Sequence, residues 1–393
     1  MAHHKEPSPS CRSTPTFLHL LGKTISDKLK YPVLTILHTE SSMGWGGQEI
    51  RIVQEAAGIA VRGNRVIIAA PVLSNIFRRA PEAGLQVLSS EFQKKNPFSV
   101  FSAVSLIDRI KHDIINTHSS SDSWVSSIAA KLSKASPKLI RTRHLSTPIS
   151  RSFLSRIIYD LLPDAVMTTG EEIRQQMIRI NGFSGSRIYS IPTGIDIGRF
   201  DPDKVKPAFD SDRFAVGMVG VLRSWKGHVF LLRAVPDIVK HIPNAHFYIV
   251  GEGPQRENIE RIVRDLSLQD RVSLLGHRED IPEIMASLNV VVHPSYAGEG
   301  IPQSLLQALA MKRPVVASDA GAIKEIILDN TTGYLIESEN PGRIAEKVTE
   351  LYQRPDLGEV FGENGRRLVV EKHSIEHMLD KIEVLYRELF DNE

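Results

Sequence analysis

The sequence has a single cysteine, Cys11. One thiol excludes an intramolecular disulfide framework and a thiolate zinc cage, and it suits a reducing, cytosolic compartment. Long apolar runs are missing as well: the one around Phe17 and Leu18 is a few residues long, and the one over 66–73 is bounded by Arg65 and Asn75. Neither approaches the ~18 residues needed to span a bilayer. Charge of one sign is also scarce, because 48 basic residues face 46 acidic ones for a net charge of +2. Whole-chain electrostatics therefore give no support for a nucleic-acid partner. The first thirty residues carry Lys5, Arg12, Lys23, Lys28 and Lys30 against Glu6 and Asp27, with Pro7, Pro9 and Pro15 interspersed. They lack a signal-peptide core and read as a flexible basic arm over 1–30.

What is present is a globular composition, 41% hydrophobic and 24% charged over 393 residues. At roughly 150 residues per domain, two domains are expected. From Tyr31 onward short β-branched runs alternate with amphipathic stretches: strands are expected over 33–38, 65–70, 85–89, 113–117, 139–143, 165–169 and 187–191, with helices such as 48–62 and 123–133 between them. Strand and helix in alternation predict a parallel sheet covered on both faces. The pattern breaks after Pro192-Thr193-Gly194, and no apolar period survives over 198–213. It restarts with strands expected over 214–222, 246–250, 272–275, 290–293, 314–318 and 334–336. The expected organisation is thus an N-terminal domain over 31–197, a linker over 198–213, a C-terminal domain over 214–373 and a terminal helix within 374–393. No sequence repeat relates the halves. Two doubly wound α/β domains would turn the carboxyl ends of their strands toward one cleft.

Three segments at expected strand ends could carry chemistry. In His293–Gln303, a helix starting near Glu299 would hold Glu299, Gln303 and Gln307 close to one stripe and offer N–H groups to a phosphate. An ordinary N-terminal acid with solvated glutamines is the alternative reading. In Gly220–His228, Arg223 and Lys226 stand three apart on what reads as a solvent-facing loop, where an Arg fork and a Lys point charge could hold a diphosphate. Plain surface charge is the alternative. Gly46 and Gly47, in Gly44–Glu49, would let backbone approach a ligand or simply form a flexible turn.

Taken in order, Gly46-Gly47-Gln48-Glu49, Pro192-Thr193-Gly194-Ile195-Asp196 with Phe200, Lys226-Gly227-His228, Val250-Gly251-Glu252-Gly253-Pro254, Gly276-His277-Arg278, Pro294-Ser295 with Glu299-Gly300-Ile301-Pro302, Pro314-Val315-Val316-Ala317 and Gly333-Tyr334-Leu335 resemble the retaining glycosyltransferases of family 4, also called group 1. The resemblance runs from about Tyr31 to the end. It implies a GT-B fold, two Rossmann-like domains with a nucleoside-diphosphate sugar held mostly by the second, and a last helix that crosses back to the first. It implies that Arg223 and Lys226 neutralise the donor diphosphate, that backbone around Gly300, Ile301, Pro302 and Gln303 binds it further, and that Glu299 bonds hydroxyls of the transferred sugar. Arg278 falls where the family contacts the base, and His118 matches the histidine that approaches the sugar. The implied reaction transfers a hexose-type sugar to a glycan or lipid-linked acceptor, of lipopolysaccharide or cell-surface polysaccharide type. It needs no metal or other cofactor and no protein nucleophile, and a UDP-sugar is expected ahead of a GDP-sugar.

Two positions depart from the family pattern. Gln307 stands where the signature has a second glutamate, so ribose would meet an amide in place of a carboxylate. Val221 replaces the arginine after the strand glycine, and Arg223 is expected to serve instead. Other classes leave weaker traces. A noncatalytic nucleotide-sugar sensor has Gln307 as its support, while a GT-B epimerase or hydrolase could share the nucleotide site, with Glu299 and Glu49 as default carboxylates. Asp210-Ser211-Asp212 spells a metal-binding acid pair but sits in the linker. His373–His377 matches an inverted zinc-peptidase motif without room for its downstream ligand. Gly251–Arg256 imitates a dinucleotide fingerprint but has Arg256 at its third glycine. The acceptor is expected on the N-terminal domain, where Lys94 and Lys95 precede Phe98, Val100, Phe101 and Val104, and Arg151 precedes Phe153, Leu154, Ile157, Ile158, Leu161 and Leu162 with Arg156 among them. Either stretch is a core helix with basic ends or a contact with an anionic membrane. The latter predicts a cytosolic enzyme peripherally attached to the inner face of the cytoplasmic membrane.

Overall fold

A computed structural model describes residues 32–145, 147–209 and 212–391. The basic arm over 1–30 and Asp210 of the acid pair lie outside the described residues. Seven strands, β1 (Thr35–Thr39), β2 (Arg65–Ala70), β3 (Gln86–Ser89), β4 (Ile114–Thr117), β5 (Lys138–Arg143), β6 (Ala165–Thr168) and β7 (Ile188–Ser190), form one sheet in the order β3-β2-β1-β4-β5-β6-β7. Six more, β8 (Phe214–Val219), β9 (Ala245–Val250), β10 (Val272–Gly276), β11 (Val290–His293), β12 (Val315–Ser318) and β13 (Tyr334–Ile336), form a second in the order β10-β9-β8-β11-β12-β13. Every pairing within both sheets is parallel.

Both faces of each sheet are buried, which is why the strands read as continuous β-branched runs. Along β11, Val290 and Val292 enter one core while Val291 enters the opposite one. Ile36 and Leu37 likewise serve opposite faces of the first sheet. The helices that position the site are α1 (Gly47–Val61), α2 (Ser120–Leu132), α3 (Glu171–Arg179), α4 (His228–His241), α5 (Gln303–Ala310) and α6 (Ile375–Asp391). Ile375, Met378, Leu379, Ile382, Leu385 and Tyr386 of α6 are buried with Ile36, Ile52 and Ile59 in the core of the first sheet. At about 1.5–3 kcal/mol for each fully buried large side chain, that face ties the end of the chain to its beginning.

The chain passes between the sheets twice, and the two passages bond to each other. Ile195 N–H donates to His373 O at 2.8 Å and Ile375 N–H donates to Ile195 O at 3.0 Å. A Cβ on Gly194 would lie 2.6 Å from Ile375 Cα, so glycine is required at this crossing. In each sheet the strand order reverses beside the first strand, between β1 and β4 and between β8 and β11. Ligands of open α/β sheets bind outside the carboxyl ends of strands at such points.

Candidate active site

At the second reversal the chain leaves β8 through Gly220 to Lys226 and leaves β11 through Pro294 to Pro302. Lys226 Nζ lies 2.7 Å from Glu299 Oε1, and both side chains are largely buried, 17% and 9% exposed. Lys226 therefore does not face solvent as expected: its ammonium meets Glu299 of the β11 loop, while Arg223 and Ser224 of the same loop are exposed. Ser295 Oγ donates to Glu299 Oε1 at 2.9 Å and lies 3.1 Å from His293 Nε2. Burial would raise the Glu299 carboxyl, but the Lys226 charge and His293 overcome it and hold the group at about 2. Glu299 is thus a committed carboxylate, an acceptor of hydrogen bonds and not a general acid.

Glu299 does not start the helix. Pro302 is the N-cap and α5 begins at Gln303, because proline has no N–H to contribute and its fixed φ suits the entry to a helix. Glu299 consequently sits in the irregular loop while Gln303 and Gln307 lie on the helix, half-buried. The amides of Gln303 and Ser304 make no hydrogen bond among the described residues. Two uncapped N–H groups at a helix N-terminus suit an anion. Ile301 is built into the core beneath. Arg223 is exposed with its guanidinium 5.4 Å from the Trp225 ring, and it has no carboxylate partner among the described residues. Arg278 is engaged in a short bidentate pair with Asp280.

The first sheet supplies the facing wall. Gly46 is the N-cap of α1 and its N–H donates to Glu49 Oε2 at 2.9 Å; Gly47 O accepts from Gln303 Nε2 at 3.3 Å, across the cleft. Gly300 meets the same wall: a Cβ there would lie 2.6 Å from His144 O and 2.8 Å from Thr169 Oγ1. Only glycine lets the β11 loop approach so closely. His118, buried at the end of β4, has both ring nitrogens occupied, Nε2 at 3.0 Å from His38 Nδ1 and Nδ1 at 3.0 Å from His144 Nε2. Beside them Glu40 accepts from the N–H groups of Ser41 and Ser42 at 2.7 Å and from Gln48 Nε2 at 2.5 Å. Asp122 accepts from Thr39 Oγ1 and His118 N–H, each at 3.0 Å. Burial pushes both carboxyls upward, and Glu40 adds to the rise at Asp122.

Sequence reasoning missed His38, Glu40 and His144. Each is a polar residue in the last turn of a strand or just beyond it, and strand order makes β1, β4 and β5 neighbours. A rule collecting polar residues at strand ends would have found all three. Among the described residues no three His, Cys, Asp or Glu side chains cluster so as to hold a metal ion, and no helix is long and apolar enough to cross a membrane.

Two doubly wound parallel sheets, with an ion pair and an uncapped helix facing a histidine-lined wall across one cleft, define a GT-B protein. Residues 45–199 match glycosyltransferase family 4 and residues 200–368 match glycosyl transferases group 1. An alpha-D-kanosaminyltransferase of Streptomyces kanamyceticus is 32% identical over 45% of the chain and 46% of its own length. A UDP-Gal:alpha-D-GlcNAc-diphosphoundecaprenol alpha-1,3-galactosyltransferase of Escherichia coli is 27% identical over 76% of the chain and 81% of its own length. The chain thus spans about half of the first relative and four-fifths of the second. Anabaena HepE, solved with UDP and glucose, superposes with a TM-score of 0.80 at 20% identity, over 90% of this chain and 99% of that one. The two matches together span residues 45–368, and the chain belongs to the group 1 glycosyltransferases of family 4.

Proposed function

We propose that the protein transfers a hexose-type sugar, with retention and without a metal, from a nucleoside-diphosphate sugar to a glycan or lipid-linked acceptor. The observation that carries this is the buried Lys226–Glu299 pair beside the uncapped amides of Gln303 and Ser304. In this reading the part from 214 to 373 holds the donor and the part from 31 to 197 the acceptor. Negative charge grows on the diphosphate as the anomeric bond breaks, and a fixed ammonium with helix N–H groups stabilises it. Lys226 and the amides of Gln303 and Ser304 hold the diphosphate, Arg223 swings from Trp225 to its outer oxygens, and Glu299 accepts from sugar hydroxyls. Gln307 meets ribose and Arg278 the base. Acceptor oxygen and leaving phosphate share one sugar face, so the phosphate takes the acceptor proton and no protein base is assigned. A uridine nucleotide is the expected donor, as the UDP in the HepE structure and the E. coli relative suggest.

The acceptor side carries exposed apolar side chains near basic ones. Phe98 and Phe101 are 75% and 68% exposed, and Phe153, Leu154 and Leu161 are 72%, 59% and 56% exposed. Ile158 is buried, and Val100, Val104 and Leu162 pack on the core, so each stretch has a core side and an exposed side; the exposed side supports attachment to an anionic membrane that presents a lipid-linked acceptor. Failure to float with anionic vesicles would remove the attachment. The donor reading is tested by thermal shift against nucleoside diphosphates and their sugars, with and without EDTA. One nucleotide should stabilise the protein regardless of EDTA. No stabilisation by any nucleotide would refute the donor site, and a shift that requires metal would refute metal independence.

A further inference from the structure

One helix of the first-sheet wall takes its N-terminal cap from the opposite wall. Helix α3 starts after Gly170, which offers no side chain to its amides. Instead the N–H of Glu171 donates to Glu325 Oε2 at 2.9 Å, and the N–H of Glu172 donates to Glu325 Oε1 at 2.7 Å. Glu325 ends the helical turn Gly321–Glu325, which follows β12 of the second sheet. A carboxylate with both oxygens engaged at the positive end of a helix dipole makes a directional, charge-assisted contact. Gly170 leaves room for it: a Cβ there would lie 3.0 Å from Ala322 Cβ and 3.1 Å from Glu325 Oε1. Lys324 Nζ, 3.4 Å from Glu172 Oε2, adds an ion pair beside it.

The same turn holds the loop that carries Glu299. Ala322 N–H donates to Glu299 O at 3.0 Å, and Ala322 and Ile323 are buried in one core with Ile301 and Leu305. The residue that grips the first wall and the residue that grips Glu299 thus belong to one short, packed turn. A shift of α3 against the second sheet is passed through it to Glu299, because a close-packed core transmits displacement. Two further polar contacts across the cleft, Gln303 Nε2 with Gly47 O and Arg79 with Glu279, are single and exposed.

Burial and the charges of Glu171 and Glu172 raise the Glu325 carboxyl more than its two amides lower it. Ionised Glu325 therefore sets the register of the closed cleft without locking it, and on opening water takes over both the carboxylate and the amides. We propose that Glu325 is a positioning residue for transfer: by capping α3 from the opposite wall it fixes how the two walls meet and hence where Glu299 stands. It acts through Glu299 and makes no contact of its own with the sugar. This inference rests on the transferase reading above, in which Glu299 accepts from sugar hydroxyls.

The test has two arms on the full chain. Amide exchange read residue by residue with electron-transfer fragmentation should show Glu171 and Glu172 protected in wild type, and Glu325→Ala should speed both about tenfold or more. Equal exchange in the two proteins overturns the proposal. For the second arm, UDP-, GDP- and ADP-hexoses are screened and the one that wild type cleaves fastest is used. Glu325→Ala should lower kcat for nucleotide release about tenfold, with affinity for the free nucleoside diphosphate within about twofold. Glu325→Gln, which keeps one acceptor oxygen, should recover part of the rate and of the protection. Gly170→Val, which wedges the same contact from the first wall, should slow release as well. Undiminished release by Glu325→Ala and Gly170→Val overturns the positioning role and leaves the transferase reading standing. A fall in nucleoside-diphosphate affinity that matches the fall in rate overturns it too, since the damage then lies in the donor site. No cleavage by wild type overturns both readings.

Discussion

On the wall built from the second sheet, charge is spent in pairs at the surface of the cleft: Lys226 against Glu299, with the Arg223 cation beside it. On the wall built from the first sheet, the corresponding strand ends carry three uncharged imidazoles in a row and carboxyls pushed upward by burial. The folds of the two walls are alike, so the difference lies in which side chains the strand ends carry. A wall with fixed charge suits a diphosphate that gains negative charge during reaction; a wall of neutral, directional donors suits sugar hydroxyls, which need orientation more than neutralisation.

The sharpest break of this contrast is Lys226→Ala. Transfer should fall about a thousandfold, the upper range for losing one preorganised contact to developing charge. Glu299 would lose the cation that most favours its charge while keeping Ser295 and His293, so the variant should also lose about 3 kcal/mol of stability in urea unfolding. Adding Glu299→Gln should restore stability but not transfer, which separates the two roles.

Acid should loosen the walls in sequence. His38 is held at about 3 against an ordinary 6.5, so the unfolded chain takes up this proton first. Its stabilisation is complete above pH 6.5 and is lost as the pH falls from there toward 3. Glu299 is held at about 2 against 4.5, so its contribution is complete above pH 4.5 and is lost between 4.5 and 2. Between pH 6.5 and 5, urea unfolding of His38→Gln should lose about 2 kcal/mol less than wild type, while Glu299→Gln tracks wild type. Equal slopes for His38→Gln and wild type would erase the distinction between the walls.

Smaller effects sharpen the donor side. Arg223 is exposed and stacked on Trp225. Arg223→Ala should weaken nucleoside-diphosphate binding about tenfold by calorimetry with little change in melting temperature. Gln307→Glu should leave turnover intact and tighten binding by up to about threefold if this side chain meets ribose. A large loss of activity there would mean that the neutral amide is required.

Much of the scaffold was readable in the β-branched runs, because strands buried on both faces leave few polar interruptions, and their ends fell within a few residues of those expected. The site was readable only in part. Arg223, Lys226 and Glu299 stood out by charge at strand ends, yet nothing local shows that Lys226 turns inward to Glu299, since the two belong to loops that only the β8–β11 pairing brings together. The start of α5 was misjudged because the four-residue spacing of Glu299, Gln303 and Gln307 mimics a helix, while Pro302 fixes the N-cap three residues later. The histidine row was hidden for the same reason as the ion pair: His38, His118 and His144 are far apart in sequence and become neighbours only through strand order.

The most direct test is proton NMR of the sugar formed from an α-linked nucleotide hexose during the first turnovers, before mutarotation, with wild type and Lys226→Ala side by side. The account predicts that the first product from wild type is the α anomer and that the variant forms it about a thousandfold more slowly. A β anomer formed first, or undiminished cleavage by Lys226→Ala, would contradict it.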